Sequence, residues 1–360
     1  MPRALPTGVR PALIRASVEP REVAGGLVPS APTKKVKVIR RILSFLVYIP
    51  LQIAFIPLAI VGVVIATYKQ LMVSKRLGVS STGIEIIQGR WTMHWFGIRK
   101  DEPTARLASA LPNATKVGLW LALAPLWVAH KLSGTHFLYP RVPVEGNETM
   151  ADFVVARTLY FDRIIERVAP EVEQFVVLGA GYDARPYGGL KREGLRFFEL
   201  DQEPTQKLKV ASLARAGIES GHVTFVTVDF RQDDPFTKLE EAGYDPSKKT
   251  LFLWEGVTLY LTEADVRRTL RDIREHSAAG STIVADIYGS RMIEFGSKGG
   301  HRKALEYTGE ELSFGLQFAA DFQGELERLV NSEHMTVGET VFLGRHDPKG
   351  PLLVVAEIRV

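Results

Sequence analysis

The chain has no cysteine among its 360 residues. Disulfides, thiolate metal sites and a cysteine nucleophile are therefore excluded, although the compartment is not fixed by that absence. The eight histidines show no H-E-x-x-H or similarly tight ligand spacing, so no metal centre is expected. No internal repeat is present. Charge is also missing from one long run: residues 42–67, ILSFLVYIPLQIAFIPLAIVGVVIAT, carry none. Acid is scarce just upstream. Residues 1–41 hold nine Lys/Arg against Glu19 and Glu22, a net of +7, while the whole chain is +4, which leaves −3 for residues 42–360. The basic character belongs to the tail, and a general nucleic-acid-binding surface is not expected.

The uncharged run is a membrane candidate. Twenty-six helical residues extend about 39 Å, enough to cross a ~30 Å hydrocarbon core with tilt. The plain alternative is a buried core helix. A cleaved signal peptide fits poorly, because the segment starts late and its apolar stretch is too long. Basic residues flank both ends, Lys34 to Arg41 before and Lys69, Lys75 and Arg76 after, and such flanks favour the cytoplasmic side. Pro50 and Pro57 would kink the helix. The expectation over 42–73 is thus a re-entrant or interfacial anchor rather than a simple span. A second apolar run, Val117 to Ala129, is too short to span, and its Trp120 and Trp127 suit the headgroup level. It reads as an interfacial helix over 117–129, as the other leg of a hairpin, or as a core helix. Residues 1–41 read as a basic disordered tail, and residues 74–147 as a connecting region in which 78–112 suggests no function.

The most informative stretch is 174–202, QFVVLGAGYDARPYGGLKREGLRFFELDQ. It reads as strand, glycine turn, second strand, acid. Gly179 and Gly181 at the tip of the first strand let a ligand approach backbone, and an acid at the tip of the second can accept from two ribose hydroxyls. An adenosine-bearing cofactor is expected. The turn alone fits NAD-type and S-adenosylmethionine-type folds equally.

The remaining pattern separates them. Helical periodicity covers 148–169. Strands are expected at 174–178, 196–201, 223–230, 250–256 and 281–288, with helices over 204–216 and 262–277 between them. A late helix at 321–332 precedes strands at 340–344 and 352–360, joined by the short turn 346–351. Alternation implies a mostly parallel, doubly wound α/β sheet, and the final pair implies an antiparallel C-terminal hairpin. This is a Rossmann-like, seven-stranded layout of the class I S-adenosylmethionine-dependent methyltransferases, with hydrophobic helices added at the N-terminus. A dinucleotide fold would more usually continue with a second βαβ half.

Five blocks in order carry a family resemblance: ARTLYFD (156–162), LGAGYDAR (178–185), FFELDQEP (197–204), VDF (228–230) and LFLWEGVTLYL (251–261). Over 148–358 the chain resembles the leucine carboxyl methyltransferase family, including its polyketide O-methyltransferase-like bacterial members. Pro186 is a minor departure. The resemblance implies S-adenosyl-L-methionine as cofactor and a catalytic domain over 148–360. It implies that Arg157 binds the cofactor's carboxylate, as a guanidinium does bidentately. Gly179, Ala180, Gly181 and Asp183 would form the turn around it, with Asp201 holding the ribose and Glu199 competing for that role. Asp229 would accept the adenine amino group, Phe230 would pack on the ring, and Glu255 would face the ammonium. The plain alternatives are a surface Arg157, a helix N-cap at Asp229 and a loop carboxylate at Glu255.

Methyl transfer requires an aimed nucleophile and exclusion of water. A carboxylate acceptor needs no base, whereas a hydroxyl is helped by one. The candidates are Tyr260, Tyr288 and His301, with Arg302 as an oxyanion partner. Residues 289–318 suit a substrate lid. The expected function is a membrane-associated O-methyltransferase with its catalytic domain facing the cytoplasm. It would act on a small, lipophilic acceptor. The alternatives are an NAD(P)-dependent oxidoreductase and a non-catalytic membrane-tethered binding or scaffold protein.

Overall fold

The computed structural model describes residues 34–230, 232–318, 321–344 and 350–360. The N-terminal layer comprises α1 (Lys34–Tyr68), one turn of π-helix (Lys69–Val73), α2 (Ser74–Leu77), α3 (Thr82–Phe96), α4 (Glu102–Ala110) and α5 (Lys116–Ser133). The α/β part follows as α6 (Phe153–Val168), β1 (Gln174–Leu178), β2 (Arg196–Asp201), α7 (Glu203–Arg215), β3 (Val223–Thr227), α8 (Pro235–Glu241) and β4 (Thr250–Trp254). It ends with α9 (Glu263–Glu275), β5 (Thr282–Tyr288), α10 (Ser290–Gly296), α11 (Gly299–Thr308), α12 (Phe322–Ser332), β6 (Thr336–Leu343) and β7 (Leu353–Arg359).

The strands form one sheet in the order β3-β2-β1-β4-β5-β7-β6. Neighbours from β3 through β5 are parallel, and β7 runs antiparallel between β5 and β6. Strand alternation sends successive side chains to opposite faces. Val176 and Leu178 join Phe252, Trp254, Leu270 and Leu329 on one side. Phe175 and Val177 join Leu251, Phe161 and Ile164 of α6 on the other. Both faces are covered, which is why these strands read as continuous apolar runs.

The expected α/β order holds, with shifted boundaries. β3 stops at Thr227 because the chain turns there: the Val228 amide donates to the Asp201 carbonyl at 3.0 Å, and Asp229 closes a turn with Gln232. β4 stops at Trp254, and β6 begins earlier than expected, at Thr336. The turn joining β6 to β7 lies mostly outside the described residues. Thr262 caps α9 in a reciprocal pair with Asp265, a capping box.

The N-terminal layer departs more from expectation. Residues 1–33 of the expected tail lie outside the described residues, but Lys34 to Arg41 are the first turns of α1, where Lys and Arg are good helix formers. Within 42–73 the helix does not fold back; it continues through Pro50 and Pro57. The reversal comes later, at α5, which lies antiparallel to α1. Phe45 meets Phe137 with ring centroids 5.0 Å apart at one end. At the other, Lys69 donates to the Ala114 carbonyl at 3.1 Å. A stripe on α1 that includes Ser44, Tyr48, Phe55, Gly62 and Ala66 is buried or half-buried. α5 is thus the second leg of a hairpin of helices, and its other side meets α3, where Trp127 stacks on Trp95 at 6.0 Å.

Two glycines set the close approach of α1 and α5. A Cβ on Gly118 would sit 2.8 Å from the Gly62 carbonyl oxygen, and one on Gly62 would press on the Gly118 carbonyl. Gly62→Val should therefore push the helices apart at a cost of about 1–3 kcal/mol. The measurement is the denaturant midpoint of detergent-solubilised protein. It should fall for Gly62→Val and stay put for Ile53→Val, a change at an exposed position.

Candidate active site

The glycine turn and the acids meet at the carboxyl edge of the sheet, where open α/β sheets bind ligands. Gly179 and Gly181 adopt φ values of +67° and +45°. These are left-handed conformations that favour glycine. The Ala180 amide donates to the Leu200 carbonyl at 2.9 Å, tying the turn to β2. Asp201 then accepts from the Gly181 amide at 2.5 Å and from the Gln202 amide at 2.7 Å. Burial raises the Asp201 carboxyl above its ordinary range, against the pull of those amides. Glu199, the competing acid, sits two residues back and is buried. It pairs with Lys209 at 2.7 Å and accepts from the Tyr187 hydroxyl at 3.0 Å.

Beside this turn lies a buried network of charges. Arg157 on α6 donates through Nε to Asp286 of β5 at 2.7 Å and stands 3.3 Å from Glu255, just past β4. Glu255 also receives Arg90 at 2.6 Å and Arg185 at 2.7 Å. Asp183 receives Arg90 at 2.8 Å and pairs with Arg185. All six side chains are buried. Three arginines thus face three carboxylates, and Arg185 carries the network on to Asp162 at 2.8 Å, which Arg99 also meets. Burial alone would raise the Glu255 carboxyl, but Arg90, Arg185 and Arg157 outweigh it and hold it at about 2. Asp183 is likewise held well below the usual range, by Arg185 and Arg90 against its own burial. Burial raises Asp286, with Arg157 opposing.

Gly256 completes the cluster. Its φ is +73° and its amide donates to Asp286 at 2.9 Å. A Cβ there would sit 2.7 Å from an Arg157 nitrogen. The glycine leaves the space that the guanidinium fills.

The other expected residues are dispersed around this centre. Asp229 and Phe230 follow β3 and are half-buried. Gln232 donates to the Asp229 carboxylate at 3.0 Å. The N-cap of α8 is Asp234, not Asp229. Phe230 packs against the core on the α9 side of the sheet. Tyr288 is buried and donates to Asp286 at 3.0 Å. Tyr260 meets the Thr82 hydroxyl at 2.8 Å, and Thr82 donates to Glu310 at 2.9 Å. Burial raises both phenols, and the Glu310 charge raises Tyr260 further. His301 lies on α11, but its side chain is outside the described residues. Arg302 lines a cavity of about 500 Å³ with Glu306, Glu310 and Leu312 in the expected lid.

Sequence reasoning missed Arg90, Arg185, Asp286 and Glu310. Asp286 was visible as the one acid in the apolar strand STIVADIY, since a buried acid requires a partner. Arg185 closes the quoted block LGAGYDAR. Arg90 comes from the stretch to which no function was assigned.

The two acids of β2 should respond differently to neutralisation. Asp201→Asn should weaken S-adenosylhomocysteine binding by roughly ten- to a hundredfold, the loss of a charge-assisted hydrogen bond. Glu199→Gln should leave that affinity near its original value but lower stability by about 3–5 kcal/mol, because Lys209 is left buried without its partner. Calorimetric titration and chemical unfolding distinguish the two. A pH series adds a sign. The acceptor at Asp201 is lost as pH falls through its raised value, so affinity should drop on acidification at a higher pH than an exposed aspartate would give. That step should vanish in Asp201→Asn.

Comparison with known proteins follows the same motifs. The family model described as leucine carboxyl methyltransferase matches residues 106–274. It begins upstream of 148 and so takes in α5. A protein of Mycolicibacterium gilvum (strain PYR-GCK) is 38% identical over 149 residues, 41% of this chain and 48% of that protein. One from Mycobacterium avium (strain 104) is 33% identical over 205 residues, 55% of this chain and 64% of its own length. The chain therefore spans about half to two thirds of the length of these relatives. A Mycobacteroides abscessus protein is 32% identical over 216 residues, 57% of this chain and 69% of its own. All three are named as S-adenosyl-L-methionine-dependent methyltransferases. A solved structure from Thermobifida fusca, described as a methyltransferase, covers 71% of this chain and 93% of its own at 17% identity and TM-score 0.43. The site motifs and the length of relative they span together make this chain a member of the leucine carboxyl methyltransferase family, whose cofactor is S-adenosyl-L-methionine.

Proposed function

We propose that the protein transfers a methyl group from S-adenosyl-L-methionine to an oxygen of a small, lipophilic acceptor at a membrane, with the catalytic domain facing the cytoplasm. One observation carries this reading: the buried ion pairs of Arg90, Arg157 and Arg185 with Asp183, Glu255 and Asp286, set beside the Gly181–Asp201 contact. The amino-acid end of the cofactor is a zwitterion, and its sulfonium supplies an electrophilic methyl group when bound. Such an end adds one charge of each sign, so it can exchange partners with paired side chains without leaving a buried charge unpaired. Arg157 would take the carboxylate and Glu255 the ammonium. Asp201 would accept from the ribose, while Asp229 and Phe230 would hold the adenine.

The residues near the acceptor side act by holding protons. Tyr288 donates to Asp286 and Tyr260 bonds Thr82, and burial raises both phenols. A phenol held protonated is a hydrogen-bond donor and not a base. This favours an acceptor that is already ionised, a carboxylate. For a hydroxyl acceptor, His301 is the remaining candidate base. The uncharged run 42–67 and its basic flanks support the membrane and the cytoplasmic orientation.

Two measurements test the reading. Calorimetric titration should detect binding of S-adenosylhomocysteine and none of NADH; the reverse pattern overturns it. Labelled methyl transfer into a membrane lipid extract should yield a base-labile ester, and His301→Ala should leave its kcat and pH profile unchanged. A product stable to base, with kcat lost in His301→Ala, assigns a hydroxyl acceptor instead.

A further inference from the structure

We propose that α1 and α5 form a platform lying in the plane of one leaflet, with α1 sunk among the acyl chains and crossing to neither side. This rests on the reading of residues 42–67 as a membrane segment and settles how that segment sits. The helix is long enough to span: within Val38–Leu77 an 18-residue segment has a mean hydropathy of 2.4, and 6% of that segment is buried. Its contacts decide otherwise.

The argument is one of connectivity. α5, about half as long as α1, runs beside it over the whole of its own length. Arg40 approaches Gly134 at the far end, while Gly62 meets Gly118 and Lys69 meets Ala114 at the near end. If α1 crossed the bilayer, α5 would cross with it. Both ends of α5, however, lead back to the same body. Upstream, α3 delivers Arg90 to Asp183 and Glu255. Downstream, Arg141 pairs with Asp152 at 2.5 Å at the start of α6. A crossing α5 would oblige residues 134–149 to cross back. That stretch, GTHFLYPRVPVEGNET, is irregular and carries Arg141, Glu145 and Glu148. Irregular backbone facing hydrocarbon has no partners for its amides and carbonyls. Neither helix spans.

The layering fits a surface. α5 also touches the body along its length: the Thr115 amide donates to Gln88 at 3.3 Å, Trp127 stacks on Trp95, and His130 meets Phe96 with ring centroids 6.2 Å apart. α1 is then the outermost layer, and its free arc is apolar throughout, with Ile42, Ile53, Ile60 and Val64 each more than half exposed. Trp120 of α5 is exposed at the level below, where indole suits headgroups. The charge selects the partner. Residues 34–84 and 103–144 contain no Asp or Glu, yet they hold eight and four Lys/Arg. Exposed Arg41, Lys75, Arg76, Lys116 and Lys131 lie toward the helix ends and none interrupts the apolar arc. A bilayer with anionic headgroups matches both features.

Depth measurement tests this on the full chain, which has no native cysteine to compete with a label. Ile42→Cys, Ile53→Cys and Val64→Cys lie eleven residues apart, three turns, so they share one face and sample about 33 Å of axis. Each is carried as a nitroxide on vesicles of mixed phosphatidylcholine and phosphatidylglycerol. The expected result is one depth for all three, with binding that weakens in pure phosphatidylcholine or high salt. A central label at the bilayer midplane with the outer two near opposite surfaces overturns the proposal in favour of a span. A monotonic gradient overturns it in favour of a re-entrant leg, and salt-insensitive binding removes the anionic partner. Protein that binds S-adenosylhomocysteine yet stays off vesicles, alone or as a stable dimer through this face, overturns the membrane reading itself and leaves the methyltransferase reading standing.

Discussion

Glu255 is the constraint on which the rest depends. A single carboxylate at the end of β4 is contacted by guanidinium groups from three separate pieces of chain: Arg90 on α3, Arg157 on α6 and Arg185 after the glycine turn. Removing one partner of a buried pair typically costs about 3–5 kcal/mol, because the other charge is stranded. The helices α3 and α6, the turn after β1 and the tip of β4 are thereby held in one register. The same register forms the carboxyl edge of the sheet beside the glycine turn. Gly256 shows how close the packing is: the space Arg157 occupies is the space a side chain at 256 would need.

The N-terminal layer is bound into this arrangement. α3 is both the floor on which α5 rests, through Trp95 and Trp127, and the source of Arg90. At the opposite end of α1, Lys75 lies 3.6 Å over the Tyr307 ring of α11. Glu310 just beyond accepts from Ser80 at 2.7 Å and Ser81 at 2.8 Å. The segment expected to be a lid is tied by side-chain hydroxyls to the foot of the apolar helix. Division of the chain into anchor, connector and enzyme describes the sequence better than it describes the molecule.

Much of this was legible beforehand, for physical reasons. β1, β2 and the helix after Thr262 were readable because both-face burial leaves unbroken apolar runs and because helical periodicity is a local signal. Gly179, Gly181 and Asp201 were readable because a tight turn and a strand-tip acid are local as well. The ion cluster was not. Arg90 meets Glu255 across 165 residues and Arg157 meets Asp286 across 129, and no local pattern encodes which arginine finds which acid. The pairing of α1 with α5 was legible only as one of three readings of Val117 to Ala129. Two prolines and basic flanks suggested a fold-back within 42–73, whereas the partner that turns the chain round lies at 116–133, beyond three intervening helices.

That separation along the chain has a consequence during synthesis. α1 is complete at Tyr68, but the helix that covers its buried stripe begins only at Lys116. At elongation rates of about 5–20 residues per second, the helix is without its partner for roughly 2–10 seconds. Throughout that interval Tyr48, Phe55 and Ala66 are as bare as Ile53 and Val64. The nascent chain therefore presents an apolar cylinder with no covered side before any strand of the sheet exists. The order in which the layers are made is the reverse of their depth in the finished protein: the outermost helix precedes the others, and the α/β part assembles beneath it.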